Sequence, residues 1–381
     1  MLIAMAAAMP LSHELWMSLL NNFVYEEAGF TGRELGILQS IREVPGFLAF
    51  GVVVLLLVFR EQPLALLSLG LLGIGVAMTG FFPTAIGLYC TTFVMSIGFH
   101  YYATLQNSLT LQWIEKERAP LVFARQVSVR AIASLLVFAF IWLAFEQAML
   151  PWWLVYCIGG IATFSIALGL SIFPALKGKA VQHKHIVLRP RYWLYYALVF
   201  MSGARRQIFL VFAGFLMVEK FGFSVSDLAI IYAVNFSISA WLAPRVGRLI
   251  QKWGERNALL FEYAGLVIVF TAYAFVSTPE LAAILYIVDH LFFAFAIAIE
   301  TYFQKIADQR DIASTAGVSF TINHIAAVVI PVSFGLIWLF SNALVFLLGA
   351  AMACISLILA LMIPHQPCPG QETVLRLRKL A

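Results

Sequence analysis

Twelve apolar stretches, each long enough to cross a bilayer, follow one another with little between them. They fall at about 1–26, 32–59, 63–81, 85–114, 119–145 and 151–173, then at 191–218, 224–249, 255–277, 280–306, 312–340 and 342–364. A hydrocarbon core roughly 30 Å thick takes about 20 residues of helix, and inside it every backbone polar group must be bonded within the protein. An all-α integral membrane protein is therefore the expected fold class. Composition agrees: 62% of the residues are hydrophobic and 11% charged, against about half and a quarter in soluble domains. The mean hydropathy is +0.92, and no soluble fold covers so much apolar surface with so few charges.

Most connectors are very short, such as REQP at 60–63 and STPE at 277–280; the exception is PALKGKAVQHKHIVLRPR at 174–191. It divides the chain into a six-helix bundle over 1–173, a connector over 174–190, a second six-helix bundle over 191–364 and a short basic tail over 365–381. The opening residues lack the basic segment and cleavage site of a signal peptide, so they are expected to form a structural helix. Cys90, Cys157, Cys354 and Cys368 lie far apart, so neither a disulfide framework nor a metal site is expected of them.

Basic residues orient the spans. The connectors after even-numbered spans, with the tail, hold 17 Lys and Arg: Arg60, Lys116, Arg118, Lys177, Lys179, Lys184, Arg189, Arg191, Arg245, Arg248, Lys252, Arg256, Lys305, Arg310, Arg376, Arg378 and Lys379. Connectors after odd-numbered spans hold two, Arg33 and Lys220. That asymmetry predicts cytoplasmic termini and a cytoplasmic central connector. The net charge of +5 is thus a property of loops and implies no nucleic acid partner. Five arginines remain inside spans: Arg42, Arg125, Arg130, Arg205 and Arg206.

The two halves repeat each other. YEEAGFTGRELGIL at 25–38 aligns with VEKFGFSVSDLAII at 218–231, matching Gly29 with Gly222, Phe30 with Phe223, Thr31 with Ser224 and Leu35 with Leu228. QWIEKER at 112–118 aligns with QKIADQR at 304–310. Six spans repeated in parallel orientation is an architecture in which two bundles rock about a midplane site.

On this repeat, and on GRLIQKWGERNAL at 247–259, the chain resembles the major facilitator superfamily of transporters over essentially its whole length. The segment is similar to the family's loop signature G-x-L-x-D-R-x-G-R-x-x-x-L, with Gly247, Leu249, Gly254 and Leu259 in place. Gln251 stands where the signature has Asp, Lys252 where it has Arg, and Glu255-Arg256 fill the basic position. The first-half counterpart, FREQPLALL at 59–67, lacks the signature, and span five lacks the Gly-Pro motif found in many drug/proton antiporters. The resemblance implies two pseudo-symmetric bundles, transport by alternating access, and a gating loop at Gly247, Gly254 and Arg256.

Polar residues gather near mid-span in both halves: His13 and Glu14, Arg42 and Glu43, His100, Arg130, Arg205 and Arg206, Asn235, Asp289 and His290, and Asn323 and His324. A central Arg costs roughly 2.5–3.5 kcal/mol on insertion scales, so such charges face something polar. Helical spacing puts Ser96, His100, Thr104 and Asn107 on one stripe, and Asp289, Ala296 and Glu300 on another. Adjacent helical residues diverge by about 100°, so Arg205 and Arg206 point apart. Arg206, which follows Ser202, is the favoured cavity residue.

Substrate ligands are expected among Arg206, Arg130, Arg205, His100, Asn107 and Asn323, and proton carriers among Glu14, Asp289, His290, Glu300 and His13. Packing is the competing account: Arg42 with Glu43, or Arg205 with Glu14, would serve as buried ion pairs, and Glu262 would pair with Arg245 and Arg248. HELWM at 13–17 is no zinc site because residue 17 is Met. GLLGIG at 70–75 follows no strand and reads instead as small residues that let helices approach. No metal, cofactor, ATP-binding loop or catalytic constellation is expected.

The expected function is secondary transport of a small anionic or zwitterionic solute, coupled to protons, by a monomer in a bacterial inner membrane. Two alternatives stand beside it: an efflux carrier for amphipathic or cationic compounds, and a transporter-shaped assembly factor or sensor that moves nothing.

Overall fold

The computed structural model describes residues 1–48, 51–56, 58–114, 119–174, 188–308 and 311–374. Lys116, Arg118, Lys177, Lys179, Lys184, Arg310, Arg376, Arg378 and Lys379 of the charge count lie outside the described residues, as do most of the connector and the end of the tail.

The helices are α1 (Leu2–Glu26), α2 (Gly32–Phe47), α3 (Gly51–Leu55), α4 (Glu61–Thr79), α5 (Ala85–Trp113), α6 (Ala119–Trp142), α7 (Trp152–Leu170) and α8 (Trp193–Ile208). They continue with α9 (Gly214–Phe221), α10 (Val225–Trp253), α11 (Glu255–Ala274), α12 (Pro279–Phe293), α13 (Ile297–Ile306), α14 (Ile312–Trp338) and α15 (Asn342–Leu361). Among the described residues, nine helical segments are long and apolar enough to cross a membrane. The other expected spans are α2 with α3, α5 and α10. These bury polar side chains along their length, among them Gln39, Arg42, Ser96, His100, Gln106 and Asn235. Of these, α2 is 16 residues long and the apolar run of α10 covers Val225–Ser239, each shorter than a full span.

Span two is not one continuous helix. Pro45 sits near the end of α2, where proline withholds a backbone donor, and α2 stops at Phe47 before α3 begins at Gly51. A π turn at Phe209–Ala213 joins α8 to α9, and a 3₁₀ turn at Ala294–Ala296 joins α12 to α13.

The repeat is visible in local geometry. Gly29 and Gly222 both take the left-handed conformation, at φ of 62° and 66°, which only glycine adopts without strain. Two residues later Thr31 and Ser224 each cap a helix. Thr31 and Glu34 form a reciprocal capping box, and Ser224 accepts from the Asp227 backbone N–H at 3.2 Å while donating to its carboxylate at 2.8 Å.

The described residues group into two compact units. One comprises Met1–Gln182 with Val218–Phe236; the other comprises His183–Met217 with Ser237–Ala381. In the first, α4 packs between α5 and α7, and α1 lies against α6 and α7. Small residues permit the approach. A Cβ on Gly73 would sit 2.6 Å from the Gly160 carbonyl oxygen, and one on Gly75 would sit 2.5 Å from the Met95 backbone nitrogen. Ser12 and Thr163 add hydrogen-bonded contact between α1 and α7, with Ser12 Oγ donating to Thr163 Oγ1 at 2.7 Å.

In the second unit α11 packs on α15 and α12, and α8 packs on α14 and α15. A clamp fixes the start of α14. Arg189 Nε and Nη2 fork onto Asp311 at 3.0–3.2 Å, joined by Arg191 Nη2 at 3.1 Å and Tyr192 Oη at 3.0 Å. The tail's first residues fold back, with Val374 N–H donating to the Met362 carbonyl at 2.8 Å.

Candidate functional site

The second unit contains a cavity of about 660 Å³, lined by α8, α10, α12, α13 and α14. The sequence of α8 explains which face it presents. Tyr195, Val199, Ser202, Arg206 and Phe209 recur at intervals of three and four and line the cavity. Leu194, Leu198, Arg205 and Ile208 fall on a different face and are buried to within 0% exposure. Two adjacent arginines therefore have two environments.

Arg206 is exposed on the cavity wall. Arg205, expected as a substrate ligand, is instead enclosed. Its guanidinium lies 4.4 Å from the Tyr263 ring centroid, its Nε donates to the Met201 carbonyl at 3.2 Å, and its Nη2 stands 3.9 Å from Glu262 Oε1. The separation of about 100° between neighbouring helical residues is the physical reason. Glu262 accordingly faces Arg205 rather than the Arg245 and Arg248 expected for it. Arg245 lies over Trp241, at 3.6 Å from the ring centroid.

Polar groups line the cavity at two levels. Arg206, Asp289, His290 and Asn323 form one; Tyr195, Glu300 and Ser319 form the other. Arg206 lies 11 residues beyond Tyr195 and Glu300 lies 11 beyond Asp289, about 16 Å of helix at 1.5 Å per residue, while on α14 Asn323 lies four beyond Ser319, about 6 Å. At the first level Asp289 is buried with Oδ1 unpartnered among the described residues, and His290 Nδ1 contacts the Tyr286 carbonyl oxygen at 2.9 Å. Gly203 admits Asn323, since a Cβ there would collide with the Asn323 amide oxygen and sit 3.2 Å from its Cγ. At the second level Tyr195 Oη donates to the exposed Glu300 carboxylate at 3.3 Å, and Ser319 Oγ donates to Tyr195 Oη at 3.0 Å. Phe209, Phe293 and Phe320 supply apolar wall. The turns at Phe209–Ala213 and Ala294–Ala296 interrupt two lining helices beside these groups, and such irregularities recur at functional sites.

Five of the expected site residues thus line one cavity: Arg206, Asp289, His290, Glu300 and Asn323. Tyr195 and Ser319 were missed. A signal for Tyr195 existed, because it lies on the Arg206 stripe of α8 at helical spacing.

The remaining candidates in the first unit have their own surroundings. His13 Nδ1 pairs with Glu14 Oε1 at 3.2 Å, and the His13 ring stacks on Phe99 at 4.1 Å. Arg42 pairs with Glu43, and its backbone oxygen accepts from Ser96. His100 is buried, Arg130 is half-buried beside Ser134, and Asn107 is exposed. In the expected gating loop Gly254 takes φ +78° directly before α11, and Gly247 has open space around it. Glu255, next to Arg256, is held by Lys305 Nζ at 2.7 Å.

Comparison with known proteins follows this geometry. No curated protein matches the chain by sequence. Among solved structures it is similar to the nucleoside transporter NupG, with a TM-score of 0.78 and 15% identity over 94% of this chain and 97% of the other. It is also similar to a bacterial homologue of the human lysosomal transporter Spinster, inward-facing and occupied, at 0.76 and 14% over 94% of each chain. An auto-inhibited POT family peptide transporter gives 0.74 and 11% over 94% of this chain and 95% of the other. At such identities these likenesses show the fold. The family model described as Major Facilitator Superfamily matches residues 1–331. The chain belongs to the major facilitator superfamily: it is an integral membrane protein and a transporter, not an enzyme.

Proposed function

We propose that this transporter is a secondary active carrier that moves a small anionic or zwitterionic solute by alternating access, coupled to protons. The observation that carries this reading is Arg206, exposed on the wall of a cavity that also holds Asn323, His290 and aromatic surface. A guanidinium offers a planar fork of donors suited to a carboxylate or phosphate. Asp289, on the same wall, is a carboxylate placed where substrate charge alters its affinity for a proton. The nucleoside and peptide transporters among the structural neighbours are in keeping with a small polar solute. A monomer in a bacterial inner membrane remains the expected setting.

Thermal unfolding of purified protein against small anions, cations and amphiphiles tests the site. A ligand at 100 times its Kd adds about 2.7 kcal/mol of stability. An anion that stabilises wild type but not Arg206→Ala supports the assignment; equal responses remove Arg206 from it. Counterflow in proteoliposomes that ignores pH and uncouplers ends the case for proton coupling.

A second reading, efflux of amphipathic cations, is favoured by one feature: Glu300 is exposed in the cavity, among aromatic walls. Stabilisation by lipophilic cations that Glu300→Gln abolishes would select it.

A further inference from the structure

The chain beyond the last span does not trail away from its bundle. Terminal segments stay poorly ordered unless something ties them down, and residues 363–374 are tied at several points. Ile363 is 0% exposed, and Pro367 is buried. The Gln371 N–H donates to the Cys368 carbonyl at 2.9 Å, across a turn in which Gly370 takes φ +87°. The Val374 N–H then returns to the Met362 carbonyl at 2.8 Å. The Gly370 N–H donates to Glu372 Oε1 at 3.0 Å, so the Glu372 side chain is held within the tail while its backbone carbonyl takes a donor from outside it. That donor is the hydroxyl of Tyr302, a residue of α13 that is 0% exposed.

The place of Tyr302 gives this contact its consequence. The 3₁₀ turn at Ala294–Ala296 cuts α13 from α12, and a 3₁₀ stretch in mid-helix often marks a hinge. Ala294 and Ala296 of that turn line the cavity, as do Ile297, Ile299 and Glu300 of α13. Tyr302 stands two residues beyond Glu300, about 200° round the helix, so it lies on the side away from the cavity. Among the described residues α13 is tied on its cavity side by Glu300 to Tyr195 of α8, and at its end by Lys305 to Glu255 of α11. The tail holds the buried back of the same helix.

We propose that residues 363–374 form a strap that regulates the cavity. Engaged, the strap pins α13 and keeps the wall that carries Glu300 in its present arrangement. Released, it lets α13 pivot at the 3₁₀ turn and opens the cavity to water. Each opening must first break the Tyr302 contact, so the strap is autoinhibitory. What this does to solute movement rests on the carrier reading; the movement of α13 does not.

Hydrogen exchange of the purified full-length protein, read by mass spectrometry, measures the release. Tyr302→Phe removes the hydroxyl alone and is expected to speed exchange over Ile297–Ile306 about fivefold, the factor that one net hydrogen bond represents, with α11 unchanged. Gly370→Ala strains the turn at an exposed position where the new methyl meets nothing within 4 Å, and should act in the same direction. Should Tyr302→Phe fail to fold, Gly370→Ala carries the same test. Water access is read separately by the rate at which N-ethylmaleimide alkylates Ser202→Cys, on the cavity wall, with the four native cysteines replaced by alanine. That rate should rise by a similar factor in both strap variants. Exchange unchanged in both variants overturns the proposal. Faster exchange with unchanged alkylation makes the tail a packing contact and overturns its control of the cavity. Neither readout uses a solute. If both rates rise but no anion binds at Arg206, the strap stands and the carrier reading fails. If anions bind there and neither rate moves, the carrier reading stands and the strap fails.

Discussion

Truncating each of the two adjacent arginines should have opposite consequences. Arg205→Ala removes a fully buried cation that stands 3.9 Å from Glu262 and 4.4 Å from the Tyr263 ring centroid. At an effective dielectric of about 20, a charge pair at that distance is worth about 4 kcal/mol. A desolvated cation–π contact adds about 2 kcal/mol. Against both stands the relief of desolvating the guanidinium, several kcal/mol. Removing one partner of a buried pair typically costs about 3–5 kcal/mol, and the missing hydrogen bond across this pair places the expected loss near about 3 kcal/mol. Arg206→Ala removes an exposed side chain and should change stability by no more than about 0.5 kcal/mol, while abolishing anion-induced stabilisation. Denaturant unfolding of both variants in detergent, with and without the stabilising anion, reads the two effects separately. Equal destabilisation, or a larger loss in Arg206→Ala than in Arg205→Ala, would refute the assignment of the two arginines to different faces.

Other perturbations test the supporting structure. Gly203→Ala should lower the unfolding free energy by about 1–3 kcal/mol, since the new methyl meets Asn323; the double variant with Asn323→Ala should recover most of that loss. Ser224→Ala should cost about 0.5–2 kcal/mol as a lost helix cap, and Thr31→Ala in the matching turn should cost a similar amount. Asp311 gives a pH signature: hydrogen bonding from Arg189, then from Tyr192 and Arg191, holds its carboxyl below the usual carboxylate range. Its contribution is therefore complete above the unfolded value of about 4 and disappears as pH falls through the lower folded value. Asp311→Asn should lower the unfolding midpoint at neutral pH and flatten the acid limb below about pH 4.

Much of this protein was legible before any coordinates, for a physical reason. In a bilayer the backbone must bond to itself, so the length and order of apolar runs decide the helices. The repeat was legible because a left-handed glycine and a helix cap are local requirements, met at Gly29 and Thr31 and again at Gly222 and Ser224. GLLGIG also read correctly as contact surface, because at Gly73 and Gly75 there is no space for a side chain against the neighbouring backbone. Local periodicity likewise separated Arg205 from Arg206 and set Asp289 and Glu300 on one stripe.

Tertiary packing decided the rest. Nothing in the sequence near Glu262 names its partner; the packing of α11 beside α8 brings Arg205 to it. Asn323 reaches the cavity because Gly203, more than a hundred residues away in the chain, leaves room for it. Ser319 and Glu300 meet through Tyr195, a contact among three helices that no single periodicity contains. The backbone's demand for hydrogen bonds is satisfied along the chain and can be read there. The compensation of buried charge is satisfied across it, and only the folded structure assigns its partners.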